Sequence, residues 1–431
     1  MSVLPPELAA HKTRLSRKTF DWLSAELGND LPLDEFGAAL LDLVEANAVV
    51  DTEVAYLAAK AGVITGQLEA VIALHWEPRH PAVRAYQALA WLFLNSVTEA
   101  ERNLRLAEDD AQALNDPLVD VDILGVKAFV ANALHDYPLG VEALGKTRQL
   151  VKRNHQLASD NQEFFSFALV VGAKSLLKLG RTQKALQLSL QVLRQNTSNR
   201  FIRSLGLINV GHCLDVMGKT REAVSRYKRA LQLAQTINAY PVISIAQNRL
   251  GMAIAWRMDD LLTGQQYFAE ALRSADLGQA LWLREGPLWN LTAVHQALED
   301  WPAAIEVMRS VVDSAQRVGQ SQTELVSLLN LAELLEEDGQ HHEAAKTREA
   351  AHGLATIIGV DMGDLEDDEE EDEEEEEENG GYELLEEEEE GFYGEEEEAL
   401  VEEEEEDMVD LTDWVDDLPP DWMGEEEPDD L

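Results

Sequence analysis

The chain has 431 residues and a formal charge of −49, and 41 of its 83 Asp and Glu fall within residues 361–431, which contain no Lys or Arg. A run that acidic cannot bury enough apolar surface to offset its ordering entropy and self-repulsion, so a disordered tail is expected behind a body of 360 residues with 42 acids against 34 bases. One cysteine, Cys213, excludes an internal disulfide, no apolar run approaches the roughly 18 to 20 residues of a membrane span, and residues 1–20 carry Lys12, Arg14, Arg17 and Lys18 without the apolar stretch of a secretory leader; a soluble, cytoplasmic protein is expected.

In chain order, residues 1–80 read as a helical region. Pro5-Pro6 can open a helix, Phe20, Trp22 and Leu23 give it an apolar side, and 36–46 reads as a second amphipathic helix. Ala58, Gly62, Val63, Leu68, Val71 and Ile72 then fall at the offsets of a helix-turn-helix. Its second helix, however, would offer Thr65, Gly66, Gln67 and Glu69 to base edges. A divergent helical hairpin is therefore the better account, with a degenerate helix-turn-helix as the alternative.

From residue 81 the chain repeats. A small residue, a bulky or long one four later and a mostly small one three after that recur at Ala223-Tyr227-Ala230, Gly264-Phe268-Ala271 and Ala344-Arg348-Ala351. Weaker copies begin at Ala100, Gly140, Ala185 and Ala304, so that seven anchors are separated by 40, 45, 38, 41, 40 and 40 residues. A second small residue stands twelve before most anchors: Ala88, Ala128, Ala173, Gly211 and Ala332, with Gly251 one place out of step. Two helices approach closely only where their contact points lack bulk, and Gly180, Gly218 or Gly339 between the small positions suits a left-handed cap. Each period is thus a helical hairpin that buries its apolar face against its neighbours. The predicted fold class is all-α: a right-handed α-solenoid over 81–360, followed by the disordered Asp/Glu-rich tail.

These residues resemble the tetratricopeptide repeat family in its longer form of about 40 residues per unit, as in kinesin light chain and bacterial peptide-sensing regulators. The resemblance is carried by Asn209-Val210-Gly211, Leu214, Gly218-Lys219, Glu222-Ala223, Tyr227 and Ala230-Leu231, and by Asn248, Asn290-Leu291 and Asn330-Leu331-Ala332 opening the next three units in similar fashion. It implies a concave groove lined by first helices, where Asn209, Asn248, Asn290 and Asn330 would bond the backbone of an extended peptide and Arg257 would add a cationic contact.

Residues 146–229 hold 16 Lys and Arg against four acids, which predicts an anion-binding surface at Lys174, Lys178, Arg181, Arg221, Arg226 and Arg229. In the tail, Leu411, Trp414, Val415 and Leu418 fall at i, i+3, i+4 and i+7, one face of a short partner-binding helix over 411–418. Nothing points to catalysis: the histidines are scattered, Cys213 and His212 are adjacent and so diverge on a helix, and no metal cluster, phosphate loop or dinucleotide fingerprint occurs. No cofactor or metal is expected. The expected function is a non-catalytic scaffold or adaptor that takes protein or peptide in its groove. Its acidic tail would serve a basic partner as assembly factor or chaperone. The alternative is a nucleic-acid-associated regulator whose basic repeats bind phosphates and whose tail is autoinhibitory; no membrane partner is expected.

Overall fold

The structure, a computed structural model, describes residues 4–27, 31–46, 51–75, 80–154, 162–195, 198–318 and 320–360. Two compact units are present, Met1–Ala351 and His352–Leu431, the second described only at 352–360, where it continues the last helix. The predicted tail helix at 411–418 therefore lies outside the described residues. Among the described residues there is no strand.

Seven helical hairpins follow one another. They are α5 (Pro81–Phe93) with α6 (Val97–Leu114), α7 (Pro117–Ala133) with α8 (Tyr137–Arg153), α9 (Gln162–Lys178) with α10 (Thr182–Gln195), α11 (Arg200–Val216) with α12 (Thr220–Gln235), α13 (Tyr240–Met252) with α14 (Leu261–Leu277), α15 (Glu285–Ala297) with α16 (Trp301–Val318), and α17 (Ser321–Glu337) with α18 (His341–Ile358). Helices α1 to α4 precede them: α1 (Arg17–Leu27), α2 (Leu33–Glu45), α3 (Thr52–Thr65) and α4 (Leu68–Ala73), with a 3-10 helix at Pro6–Thr13. Successive first helices touch, α5 on α7, α7 on α9, α9 on α11 and α11 on α13, which makes the array an α-solenoid.

The small anchor positions are sites of close approach. A Cβ on Gly211 would stand 2.7 Å from the Tyr227 ring, and one on Gly251 would stand 2.5 Å from Phe268. Each hairpin turn carries one left-handed residue: Asn95, His135, Gly180, Gly218, Asp259, Glu299 or Gly339. The following amide closes the turn onto a carbonyl five residues back, as in Ser96 to Trp91, Lys219 to Leu214 and Gln340 to Leu335. The bond from Asp260 reaches back six residues, to Ile254, because a π-helical turn at Ala253–Arg257 inserts one residue. That insertion accounts for Gly251 standing one place out of step in the repeat.

Residues ahead of the hairpins are built into the same unit as the solenoid rather than set apart at residue 80. Helix α3 is buried on nearly every side, from Val54 to Ile64, with Lys60 alone half-buried. It packs on α2, α5 and α13, while the 3-10 helix packs on α11. Gly66, left-handed at φ 84°, lies against Gly278, where a Cβ would meet the Gly278 Cα at 2.5 Å. The helix-turn-helix reading finds no reading face here. Thr65 is buried and donates to the Ala61 carbonyl, and the Gln67 amide donates to the Asp34 carbonyl at 2.9 Å and to the Thr65 hydroxyl at 3.1 Å.

Candidate functional site

Two groups of charge stand out, and they are built differently. The first lies where the opening segment meets the first hairpins. His11 Nδ1 stands 2.7 Å from Glu53 Oε1, which also accepts from Arg14 Nε at 2.9 Å, and Arg14 Nη2 reaches Asp116 at 3.0 Å. Six residues on, in α7, the fully buried Asp122 stands 3.6 Å from Lys60, whose ammonium also lies over the Tyr56 and Tyr86 rings. Farther along the array, Glu7 receives Arg200 at 2.8 Å and Asp34 receives Asn238 at 2.8 Å. Burial pushes the Asp122 carboxyl well above the usual carboxylate range and raises Glu53, while it drives His11 well below the ordinary imidazole range and lowers His80. Every cation here has a carboxylate beside it.

In the second group, same-sign charges converge. Lys174 and Lys178 stand one turn apart near the end of α9, His212 stands near the end of α11, and Arg249 stands on α13. Asn209 Nδ2 donates to the Val170 carbonyl at 2.7 Å, which pins α11 against α9 one turn before His212 and Lys174. Burial lowers the Lys174 ammonium to about 8, with Arg249 and Lys178 adding repulsion. Lys178 is lowered by burial and then by Arg249. His212 is driven down to about 2 by burial and then by Arg249, Lys178 and Lys174, so it is a neutral imidazole at pH 7. The Arg249 charge is also felt by Tyr137 of the second hairpin and Tyr227 of the fourth. Arg249 therefore lies within electrostatic reach of four of the seven hairpins. Among the described residues, none of Lys174, Lys178 and Arg249 is ion-paired with a carboxylate.

The other residues singled out in the sequence are distributed as follows. Arg221 and Arg229 are exposed and Arg226 half-buried on α12, a second helix, and Arg229 bonds Gln232 locally. Arg181 is half-buried at the turn after α9. The asparagine amides are engaged within the fold: Asn209 as above, Asn290 on Asn248 Oδ1 at 3.1 Å and on the Gly286 carbonyl at 2.9 Å, and Asn330 on the Val326 carbonyl at 3.0 Å. Arg257 is exposed in the π-helical turn beside Trp256. The Cys213 thiol is buried and pushed up to about 12, far from nucleophilic activation. Arg249 and His212 were missed in the sequence because neither belongs to a run of bases; the shared register of first helices was the signal that could have found them.

The stacked hairpins of about 40 residues, their small anchors under Tyr227 and Phe268, and their left-handed turns define the repeat on its own geometry. This is a tetratricopeptide-like helical repeat protein. No family model matches the chain, and no curated protein does. Among solved structures it is similar to BtubC from P. vanneervenii, at 15% identity over 63% of this chain and 98% of that one, with a TM-score of 0.42. It is similar also to the apo form of the quorum sensor NprR from B. thuringiensis, at 13% identity over 80% and 95%, TM-score 0.48. A third is a STAND protein with a tetratricopeptide repeat sensor from Pyrococcus horikoshii, at 13% identity over 79% and 56%, TM-score 0.45.

A third feature follows the turns. The residue just before the left-handed position is apolar in six consecutive hairpins: Leu94, Leu134, Leu179, Met217, Met258 and Leu298. Four of them, Leu134, Met217, Met258 and Leu298, are 37 to 48% exposed, and Val216, Trp256 and Leu262 beside them are more than a third exposed as well. Among the described residues no group of His, Cys, Asp and Glu could hold a metal ion, and no helix is long and apolar enough to cross a membrane.

Proposed function

We propose that this chain is a non-catalytic interaction scaffold that presents the turn edge of its solenoid to a protein partner. The observation that carries the reading is the exposed apolar residue just before the left-handed position in four of the seven turns. A single exposed Leu is unremarkable, since much of any folded surface is apolar. The same exposure at equivalent positions of stacked units, unbroken from the fourth to the sixth turn, makes an apolar stripe of the kind that marks a protein-binding surface. Exposed Lys219 and Arg221 flank the stripe at the fourth turn, so the partner segment that fits carries apolar side chains among Asp and Glu.

The test is site-specific photocrosslinking in the native cell from positions 217 and 258, with position 228 on the outer part of α12 as control. One protein captured from both edge positions, and lost with Met217→Glu, is the expected result. Equal capture from position 228 would refute the edge as the binding surface, and captured nucleic acid would favour the regulator reading in which the basic repeats bind phosphates. An assembly or chaperone role for residues 361–431 toward a basic partner stays a proposal of the sequence, tested by whether capture of such a partner disappears on their removal.

A further inference from the structure

We propose that Lys174, Lys178, His212 and Arg249 form a binding site for the phosphoryl group of a small phosphorylated ligand. The site is distinct from the turn edge and does not depend on it. Its geometry comes from three successive first helices: α9 supplies two ammonium groups one turn apart, α11 an imidazole, and α13 a guanidinium. The Asn209 bond to the Val170 carbonyl and the contact of α11 with α13 hold these helices in register.

Six other part-buried cations of this chain are neutralised. Arg14, Lys60, Arg84, Lys127, Arg200 and Arg284 each have a carboxylate within 3.6 Å. Among the described residues Lys174, Lys178 and Arg249 have none, although Arg249 adds to what burial does in lowering both lysines. Gathering cations without a counter-charge costs folding free energy, and a fold does not need that cost to stack hairpins. A ligand that brings the missing negative charge recovers it.

The chemistry of the donors selects the ligand class. Three groups that are cationic at neutral pH exceed what one carboxylate neutralises, whereas a phosphoryl group carries about −1.5 to −2 there and three acceptor oxygens. Two lysines provide compact point charges, and the arginine fork matches two oxygens in one plane. His212, neutral at pH 7, can donate one further hydrogen bond without adding repulsion.

The test uses the full chain with inorganic phosphate and tripolyphosphate as probes, read by thermal shift and by calorimetric titration. Both probes should raise the melting temperature, tripolyphosphate more. Lys174→Met and Arg249→Met should each weaken binding at least tenfold. Lys174→Met should also melt higher than the parent when no anion is present, because it removes repulsion; a purely structural lysine would show the opposite. Arg221→Gln with Arg229→Gln, on an exposed second helix, should bind as the parent does. Should Arg249→Met not fold, Lys178→Gln supplies the second variant. The proposal is overturned if the probes bind the Lys174→Met protein as tightly as the parent, if the Arg221/Arg229 pair abolishes binding, or if a glutamate-rich peptide occupies the cluster while phosphate and tripolyphosphate do not.

Discussion

The charge cluster at the opening segment and the one on α9, α11 and α13 obey opposite rules. In the first, Glu53 serves both His11 and Arg14, Asp116 serves Arg14 again, and Asp122 answers Lys60. In the second, Lys174, Lys178, His212 and Arg249 lie within electrostatic reach of one another, and among the described residues none of the three cations is paired with an acid. Matched charges out of water contribute orientation: they fix which segment lies on which helix, and breaking one pair strands the other. Unmatched charges contribute nothing to the fold that neutral residues would not do better. The comparison separates a clamp from a binding site within one chain, using only sign and partner.

The largest effect should come from breaking the clamp. Glu53→Ala removes the carboxylate that His11 and Arg14 share and leaves Arg14 with Asp116 alone, and loss of one partner of a buried pair typically costs about 3 to 5 kcal/mol. Urea denaturation of the full chain should show that loss; a midpoint within error of the parent would mean that the opening segment is not held by these charges. Packing should come next. The first helix that bears His212 gains no cohesion from the cation cluster, so its attachment rests on neutral contacts such as Gly211 under Tyr227. Gly211→Ala pushes a methyl into that ring and should cost about 1 to 3 kcal/mol, measured the same way.

How much of this was legible in the sequence differs between the same two regions. The hairpins were legible because their constraint is periodic: a small residue must recur wherever helices touch, and Gly211, Ala223, Gly264 and Ala344 mark it in the open. Four of the seven left-handed turns lack glycine, and Asn95, His135, Asp259 and Glu299 hid them from composition. Docking of residues 4–75 onto the array was not legible. Helix α3 is apolar nearly all round because it is enclosed, so it shows no face by which its partners could be inferred, and the Glu7–Arg200 and Asp34–Asn238 pairs span 193 and 204 residues. At the candidate site, Lys174 and Lys178 were legible from their run, while the asparagines were assigned outward although Asn209 and Asn290 bond within the fold.

The second cluster can be sharpened by titration. Burial first, and then Arg249 and Lys178, hold the Lys174 ammonium at about 8 in the fold against 10.5 for an unperturbed lysine. Between those values the unfolded chain holds the proton and the folded chain has released it, so folding stability rises with pH across that window. Lys174→Met has no such group. Its stability advantage over the parent should therefore be full below about pH 8 and shrink toward pH 10.5. A constant difference across the window would place the repulsion elsewhere.

The smallest stability effect should belong to the turn edge, and that smallness is informative. Met217 is 39% exposed, and it precedes the left-handed Gly218, so the turn is closed by backbone bonds from Gly218 and Lys219 rather than by this side chain. Met217→Glu should then change stability by no more than about 0.5 kcal/mol, as surface substitutions away from packing usually do. The same substitution places a carboxylate on the stripe proposed for an acidic, apolar partner, where both lost contact and like-charge repulsion oppose binding. Stability and capture should thus separate: an unchanged urea midpoint with partner capture lost. If capture survives while the midpoint falls, Met217 belongs to the packing of its hairpin, and the regular exposure of Leu134, Met258 and Leu298 reflects how the turns are built rather than what they bind.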